Sequence, residues 1–264
     1  MKDEMKSFDI LKSDGSRVSC VREMPDPLKG IVIAIHGFTS SKESSTYRRL
    51  LKRLPAAGFG VICIDLPGHG TGESSKEILS IHGALDSIGA AEQEALREHP
   101  GCRIYYFGSS FGAYLIGLYI STREHAGRKA FWRSAAVNMP ELFHKEHPTA
   151  KEEQWLKDLE LKGYFDAEMD GDRPVRVTKA FYDELLQNDL FERFDKERFG
   201  EHQIAMAHGK KDAVICPEAA EKFAEKYRIP ITWFPNDGHS LSSDSTTPDQ
   251  VIDLAISHFR QENL

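Results

Sequence analysis

The sequence lacks any long apolar run. Hydrophobic residues make up 40% of the 264 residues, but no stretch approaches the ~20 apolar residues that a membrane-spanning helix requires. The first residues, MKDEMKSFDI, carry charges of both signs, whereas a secretory signal has a basic start followed by an apolar segment. We therefore expect a cytoplasmic protein that has no membrane partner.

Charge of one sign is not concentrated anywhere in the chain. The 34 basic and 41 acidic residues are interspersed and give a net charge of −7. A nucleic-acid-binding protein presents a basic face, so no nucleic-acid partner is expected. The sequence also has no internal repeat.

Cysteine is scarce, with four residues and no Cys-x-x-Cys pair: Cys20, Cys63, Cys102 and Cys216. They adjoin apolar residues in strand-like stretches such as VICID. Free cysteine is among the most buried residue types, so buried free thiols are expected and a disulfide or metal role is disfavoured. No cofactor and no metal are expected.

Short apolar segments alternate with amphipathic ones along most of the chain. GIVIAI and GVICID are β-branched and apolar on both faces, which is typical of buried parallel strands. Between them, ESSTYRRLLKRLPAAG repeats its apolar residues at helical spacing. Strand, helix and strand in this order predict a βαβ unit.

The same alternation continues to the C-terminus. The further predicted helices are ALDSIGAAEQEALREH, SFGAYLIGLYISTRE, PEAAEKFAEKY and TPDQVIDLAISHFRQ. The further predicted strands are CRIYYFG, QIAMAHG and ITWFP, with another at the end of KAFWRSAAVNMP. This pattern predicts an α/β fold with an open, mostly parallel sheet covered by helices on both faces.

Two segments depart from the alternation. SFDILKSDGSRVSCVREM has a Ser-Asp-Gly turn between two alternating runs and predicts an antiparallel hairpin at the sheet edge. From residue 140 to residue 201 the strand pattern stops, and EEQWLKDLELKGYF and TKAFYDELLQNDLFERF predict short helices. We therefore expect a single domain over residues 1–264, with a cap insertion at 140–201 that covers a binding site.

The stretch GSSFG contains two candidate nucleophiles. A serine is displayed on a sharp strand-to-helix turn when glycines lie two positions before and two after it. Ser110 has Gly108 and Gly112 at these positions, whereas Ser109 has phenylalanines. Only Ser110 therefore fits the Gly-x-Ser-x-Gly pattern, and the strand before it and helix after it supply the required context. A small-residue packing turn is the alternative.

A serine nucleophile needs a base and an orienting carboxylate, in the chain order Ser, Asp or Glu, His. Asp212 and His239 follow the predicted strands QIAMAHG and ITWFP, and sites in open α/β sheets gather at such strand ends. His239 would accept the proton of Ser110, and Asp212 would orient the imidazole. Taken singly, each residue is more typical of a polar turn, but their shared order and their places after strand ends favour the catalytic roles.

Other residues compete for these roles. They are Asp237 and Asp244 for the acid, and His36, His69 and His208 for the base. Asp237 and Asp244 lie so close to His239 in sequence that they are expected to shape its loop. All five rank below Asp212 and His239.

The reaction also needs two donors for the oxyanion that forms when serine attacks a carbonyl. One expected donor is the backbone N–H of Phe111, because the first amides of a helix have no partner within it. The second is the N–H of Phe38, in the loop HGFTSSKES after the first parallel strand. The side chain of Phe38 is expected to cap the core as well.

The motifs HGF, DLPGHGTGES, GSSFG, HGKKDAVICP and NDGHS together resemble the α/β-hydrolase fold family over nearly the whole chain. The compact size and charged cap resemble serine carboxylesterases of the monoacylglycerol-lipase-like and cinnamoyl-esterase-like types. The resemblance implies Ser110 as nucleophile, Asp212 and His239 as partners, and Phe38 and Phe111 as oxyanion donors. The chain departs from these esterases at Ser109, where His is common, and at the Asn-Asp-Gly turn before His239.

We expect a serine hydrolase that cleaves small-molecule carboxylic esters, short-chain or aryl, through an acyl-serine intermediate. A thioesterase or a serine aminopeptidase-like hydrolase would use the same machinery, and a non-catalytic binding protein is a further alternative. Apolar cap residues could line an acyl or aryl pocket or pack within the cap: Trp155, Leu159, Tyr164, Phe165, Phe181 and Tyr182. The natural substrate and the oligomeric state are left open.

Overall fold

The computed structural model describes residues 7–168, 173–199 and 203–261. Within them the strands are β1 (Ser7–Leu11), β2 (Arg17–Glu23), β3 (Ile31–Ile35), β4 (Gly60–Ile64), β5 (Ile104–Ser109), β6 (Gly127–Arg133), β7 (Tyr164–Ala167), β8 (Val175–Thr178), β9 (Ile204–Gly209) and β10 (Ile231–Phe234). The helices are α1 (Ser45–Ala56), α2 (Ile81–Glu98), α3 (Phe111–Thr122), α4 (Met139–Phe143), α5 (Ala150–Lys162), α6 (Lys179–Gln187), α7 (Leu190–Arg193), α8 (Pro217–Tyr227) and α9 (Thr247–Arg260), with a 3-10 helix at Glu73–Lys76.

Eight of the strands form one sheet, in the order β1-β2-β4-β3-β5-β6-β9-β10. The strands from β4 to β10 in this order are parallel, whereas β1 and β2 form an antiparallel hairpin at the edge. Strands β3 and β4 are buried along their whole length, as expected where both faces of a parallel sheet are covered. The predicted fold class and the predicted edge hairpin are confirmed.

Each face of the sheet carries its own apolar core. On one face α1 and α9 pack together, and α1 buries Tyr47, Leu50, Leu51 and Leu54 at helical spacing. On the other face α2, α3 and α8 form a larger core that continues into the residues between β6 and β9. Because a core packs against each face of the sheet, the strand ends are held in place and can position the side chains of the loops that follow them.

Two predictions about secondary structure were wrong. The strand expected at the end of KAFWRSAAVNMP occupies its start, because the apolar run Ala130–Trp132 is the part buried between β5 and β9, and Pro140 begins a short helix. Residues 140–201 also contain two strands, β7 and β8, which pair antiparallel. Both are four residues long with alternating buried positions, which is too short to stand out in a charged segment.

The segment between β6 and β9 carries α4 to α7 and the β7–β8 hairpin, and we refer to residues 140–201 as the cap. Residues 169–172, 200 and 201 of the cap lie outside the described residues, as do residues 1–6 of the expected non-signal start. The bounds of the cap and the single-domain organisation stay predictions.

The described residues contain no helix that combines the length and the apolarity needed to cross a bilayer. All four cysteines are free. Cys20 and Cys63 are buried as expected, but Cys216 is exposed, because it lies in the loop directly before α8. Cys102 is only half-buried, so the prediction of buried thiols was wrong for Cys216 and holds only in part for Cys102.

Candidate active site

Ser110 lies on the sharp turn that joins β5 to α3. Its backbone has φ 53° and ψ −114°, a conformation that L-residues rarely adopt and that projects the side chain away from the sheet. A Cβ on Gly112 would lie 2.1 Å from the carbonyl oxygen of Ile35, and one on Gly108 would lie 2.6 Å from the backbone of Ala113. The turn therefore requires glycine at both positions that the sequence pattern singled out.

A chain of hydrogen bonds joins three side chains from three strand ends. The Oγ of Ser110 lies 3.0 Å from Nε2 of His239, and Nδ1 of His239 lies 2.8 Å from Oδ2 of Asp212. The three residues follow β5, β10 and β9 respectively. The structure thus brings together the serine, the histidine and the aspartate that the sequence analysis selected.

The carboxylate of Asp212 is buried and surrounded by donors. Its Oδ1 accepts hydrogen bonds from the backbone N–H groups of Val214 and Ile215, both at 2.9 Å. Its Oδ2 also lies 3.2 Å from Nε2 of His208. Burial alone would raise the pKa of Asp212, but hydrogen bonds from His208, His239 and the backbone hold it below its usual value. Asp212 is therefore ionised beside His239.

The competing residues hold other positions. Oδ1 of Asp237 accepts the N–H of Ser243 at 2.7 Å, and Oδ1 of Asp244 accepts the N–H groups of Thr246 and Thr247. Both carboxylates therefore shape the loop after β10, as expected. His208 is fully buried, and its Nε2 lies near Oδ2 of Asp212 and the carbonyl oxygen of Ile215.

The loop after β3 passes directly beside Ser110. A Cβ on Gly37 would lie 3.3 Å from Cβ of Ser110, so the following residue, Phe38, begins within reach of the nucleophile. The ring of Phe38 packs edge-on against that of Phe111, with 5.7 Å between centroids. Phe111 is the first residue of α3, so its N–H has no partner within the helix. The two expected oxyanion donors thus belong to adjoining segments.

Two buried histidines fix this loop. Nε2 of His69 accepts the N–H of Thr39 at 3.1 Å, and Nε2 of His36 accepts the N–H of Leu66 at 3.1 Å. Burial lowers the pKa of His36 to about 4 and that of His69 to about 3. Both rings are therefore neutral at pH 7, and they serve as acceptors that hold the loop in place.

The candidate site opens into a cavity of about 850 Å³ between the strand ends and the cap. Its lining includes Ser110 and His239. Of the six cap residues considered above, Trp155, Phe165 and Tyr182 line the cavity. The side chains of Leu159 and Phe181 are buried in the core, and Tyr164 packs against the guanidinium of Arg176.

Sequence reasoning missed Arg133, the last residue of β6, and Ser134, which follows it. Nη1 of Arg133 donates to Oγ of Ser109 at 2.7 Å, and Nη2 donates to the carbonyl oxygen of Ser240. Oγ of Ser134 donates to the carbonyl oxygen of His239 at 2.8 Å. The pair therefore joins the nucleophile turn to the histidine loop. No sequence motif marks it, because the contacts depend on where the distant loop folds.

The described residues include no group of three or more His, Cys, Asp or Glu side chains that could hold a metal ion.

Comparison with solved structures gives many similar folds at low sequence identity. Est1E from Butyrivibrio proteoclasticus, solved with ferulic acid bound, is 19% identical with a TM-score of 0.78, over 96% of this chain and 100% of that one. A putative hydrolase from Agrobacterium vitis is 16% identical with a TM-score of 0.75, over 97% and 98% of the two chains. The monoacylglycerol lipase of Paleococcus ferrophilus is 18% identical with a TM-score of 0.70, over 96% and 100%.

By sequence, no curated protein matches the chain. The family model described as serine aminopeptidase, S33, matches residues 26–190. This span runs from before β3 to the start of α7 and so includes the nucleophile turn and most of the cap. The resemblance to α/β hydrolases is thereby confirmed. Since the match covers more than half of the chain, this protein belongs to the serine aminopeptidase S33 family and is an α/β hydrolase.

Proposed function

We propose that this protein hydrolyses carboxylic esters through an acyl-serine intermediate on Ser110. The observation that carries the proposal is the hydrogen-bonded chain from Asp212 through His239 to Ser110, with distances of 2.8 Å and 3.0 Å. Serine is a weak nucleophile until an adjacent base accepts its proton. The geometry supplies that base and a carboxylate that orients it.

In the first half of the reaction, Oγ of Ser110 attacks the ester carbonyl carbon as His239 accepts the hydroxyl proton. The negative charge that develops on the carbonyl oxygen is stabilised by the N–H groups of Phe38 and Phe111. The ester C–O bond then breaks, and His239 returns the proton to the departing alcohol oxygen. In the second half, His239 deprotonates a water molecule that attacks the acyl-serine, which releases the acid and restores Ser110.

The cavity supports an apolar acyl or aryl group. Its cap-side lining is largely apolar and includes Leu142, Phe143, Trp155, Leu156 and Phe165. Apolar walls with a few polar groups are typical of small-molecule pockets. Est1E is solved with ferulic acid, an aryl carboxylic acid, and the Paleococcus protein is named a monoacylglycerol lipase. Both names favour substrates with an apolar acyl or aryl group.

The family description makes aminopeptidase activity the second candidate. An aminopeptidase has to bind the α-ammonium group of its substrate, which calls for a free carboxylate near the nucleophile. The charged side chain next to the serine turn is instead the guanidinium of Arg133. The two carboxylates that line the cavity, Glu152 and Glu168, both belong to the cap, and Glu152 is paired with Lys145 at 2.7 Å. The charges therefore favour an ester over a peptide N-terminus.

The test compares the wild-type protein with Ser110→Ala on p-nitrophenyl acetate, butyrate and octanoate, and with a fluorophosphonate probe. We expect labelling and ester turnover in the wild type and neither in the variant, because only Ser110 can form the covalent bond. Ser13→Ala, which replaces an exposed serine far from the cavity, serves as the matched control and should keep both.

Two other results would redirect the assignment. Wild-type protein that neither labels nor exceeds Ser110→Ala in turnover would contradict the hydrolytic role of Ser110. Labelling with turnover of an acyl thioester or an aminoacyl p-nitroanilide, but of no oxygen ester, would establish the corresponding alternative.

A further inference from the structure

Arg133 reaches into the cavity beside the nucleophile. It ends β6, lines the same cavity as Ser110 and His239, and is only partly exposed. Hydrogen bonds from Nη1 to Ser109 and from Nη2 to Ser240 fix the guanidinium between the residues that adjoin Ser110 and His239. The charge is therefore held in place beside the residues that adjoin Ser110 and His239.

This cation has no anionic partner among the described residues. Its two hydrogen bonds are to a hydroxyl and a carbonyl oxygen, and the carboxylates of Asp212 and Asp237 attract it only from beyond ion-pair distance. An unpaired charge away from bulk water is costly, and burial lowers the pKa of Arg133 accordingly. Arginine nevertheless remains protonated, so the site retains a positive charge without a counter-ion.

The other arginine and one lysine that line the cavity are already engaged. Arg49 is paired with Asp249 at 2.9 Å, and Lys145 is paired with Glu152 at 2.7 Å. Lys151 belongs to the cap, where it binds the carbonyl oxygen of Glu168. Arg133 is thus the cation that adjoins the catalytic residues.

The chemistry of His239 determines which side of the scissile bond faces Arg133. The departing oxygen must receive its proton from Nε2 of His239, so the leaving group has to lie on the His239 side of the carbonyl. Arg133 binds Ser240, the residue directly after His239. A negatively charged leaving group would therefore lie against the guanidinium, while the acyl group extends toward the apolar cap.

We propose that Arg133 binds a carboxylate on the leaving group, so that the preferred substrates are esters of apolar acids with short hydroxycarboxylic acids. This inference rests on the ester hydrolysis proposed above. Ser110 forms a bond to the acyl carbon, the ester C–O bond breaks, and the hydroxycarboxylate leaves with a proton from His239 and its carboxylate unchanged. Two N–H groups of the guanidinium are already engaged, and its other N–H groups can bind the substrate. Its single positive charge matches the single negative charge of a carboxylate.

The test uses two esters of butyric acid that differ in one charge, butyryloxyacetate and its neutral amide analogue butyryloxyacetamide. Release of butyrate gives kcat/KM for each. We expect the wild type to prefer the anionic ester by about ten- to a hundred-fold, as for other charge-assisted hydrogen bonds. Arg133→Met should bring this ratio close to one, and Arg133→Lys should keep part of it.

Arg49→Met is the matched control, because it removes another cavity-lining arginine and should leave the ratio unchanged. A purely positioning role for Arg133 would lower turnover of both esters equally and leave the ratio intact, which would overturn the proposal. A preference for the anion of ethyl hydrogen succinate over ethyl succinamate, without one for butyryloxyacetate, would place the anion on the acyl side and also overturn it. If the wild type turned over neither ester faster than Ser110→Ala does, the ester hydrolysis itself would be refuted.

A second measurement needs no variant. Glycolate, the released hydroxy acid, should inhibit wild-type hydrolysis of p-nitrophenyl butyrate competitively, and glycolamide at the same concentration should inhibit far less. Equal inhibition by both compounds, or none by either, would refute the role of Arg133 even if Arg133→Met failed to fold.

Discussion

Ser110 is held in a backbone conformation that opposes its own preference. A non-glycine residue at φ 53° costs free energy, and the surrounding structure must supply it. Here the N–H of Ser110 donates to the carbonyl oxygen of Arg133 at 2.8 Å, and the carbonyl oxygen of Ser110 accepts N–H groups from the first turn of α3 that follow Phe111. The helix donors are Ala113 and Tyr114, in its third and fourth positions. The strain is therefore fixed by a neighbouring strand and by the helix, and it orients Oγ toward His239.

Asp212 and Asp237 offer a test between two buried carboxylates near the same histidine. We expect Asp212→Asn to lower kcat by about 10²- to 10⁴-fold, because an amide can stabilise neither the required tautomer nor the imidazolium. Asp237→Asn should cost less than tenfold, since its contact is the N–H of Ser243, which an amide oxygen can also accept. Steady-state kinetics on p-nitrophenyl butyrate measure both.

Circular dichroism of the two variants provides the control for folding. If both are folded and Asp237→Asn loses more activity than Asp212→Asn, the acid has been assigned to the wrong residue.

The sequence predicted the residues whose spacing or order expresses their role. Ser110 was distinguishable from Ser109 by the register of two glycines, and Asp212 and His239 by their positions after predicted strands. Arg133 was not predictable, because its partner Ser240 lies 107 residues away. Only the folded positions of β6 and the histidine loop reveal that contact.

At the scale of elements, the distance between α3 and the end of β3 determines how Ser110 lies relative to the loop after β3. Gly112 allows this close approach, since a Cβ would overlap the carbonyl oxygens of Ile35 and His36 at 2.1 and 2.6 Å. Gly112→Ala should therefore displace α3 from β3. We expect it to lower the free energy of unfolding by about 1 to 3 kcal/mol, and kcat more than tenfold. Urea denaturation and steady-state kinetics measure the two effects.

Gly89→Ala is the matched control within α2. A Cβ there would meet the hydroxyl of Tyr119 at 3.4 Å, an ordinary contact, and replacing a helical glycine by alanine stabilises by about 0.5–1 kcal/mol. Full activity and stability in Gly112→Ala would contradict the expectation that both depend on the close approach of α3 to β3.

Elements with a strong period were predictable, and short ones within the cap were not. Helix α8 begins and ends at the predicted residues Pro217 and Tyr227, because proline marks its start and apolar residues recur at helical spacing. Strands β7 and β8 each present only two buried side chains. Two alternating apolar residues in a charged segment do not distinguish a strand from the end of a helix. The cap hairpin was therefore found only in the structure.

At the scale of the whole molecule, covering the sheet on both faces leaves several histidines buried and neutral. His36 and His69 hold the loop after β3, and His258 lies on α9 and contacts Gln203, just before β9. Burial lowers the pKa of His36 and His258 to about 4 and that of His69 to about 3, from an ordinary value of 6.5. These groups couple the stability of the fold to pH.

Whether acid raises or lowers the free energy of unfolding depends on which state, folded or unfolded, binds more protons. Below pH 6.5 the unfolded chain takes up protons on these histidines, and the folded protein does not until pH approaches 4. Protonation therefore favours unfolding, and the free energy of unfolding should fall by ~1.4 kcal/mol per pH unit for each histidine in this window. Asp65 and Glu92 act in the opposite sense, because burial raises their pKa values, but they are two groups against the three histidines. Urea denaturation at pH 7.0, 6.0 and 5.0 measures the decline.

His258→Gln isolates one of the three contributions. The ring contacts the carbonyl oxygen of Gln203 through Nε2 at 3.1 Å, and a glutamine amide can donate to the same oxygen without titrating. The variant should therefore lose less stability than the wild type between pH 6 and pH 5, by ~1.4 kcal/mol per pH unit. Its ester hydrolysis at pH 7 should be unchanged, because α9 contributes only Pro248 to the cavity. An identical pH dependence in the variant and the wild type would mean that His258 titrates normally in the folded protein and that acid destabilisation has another source.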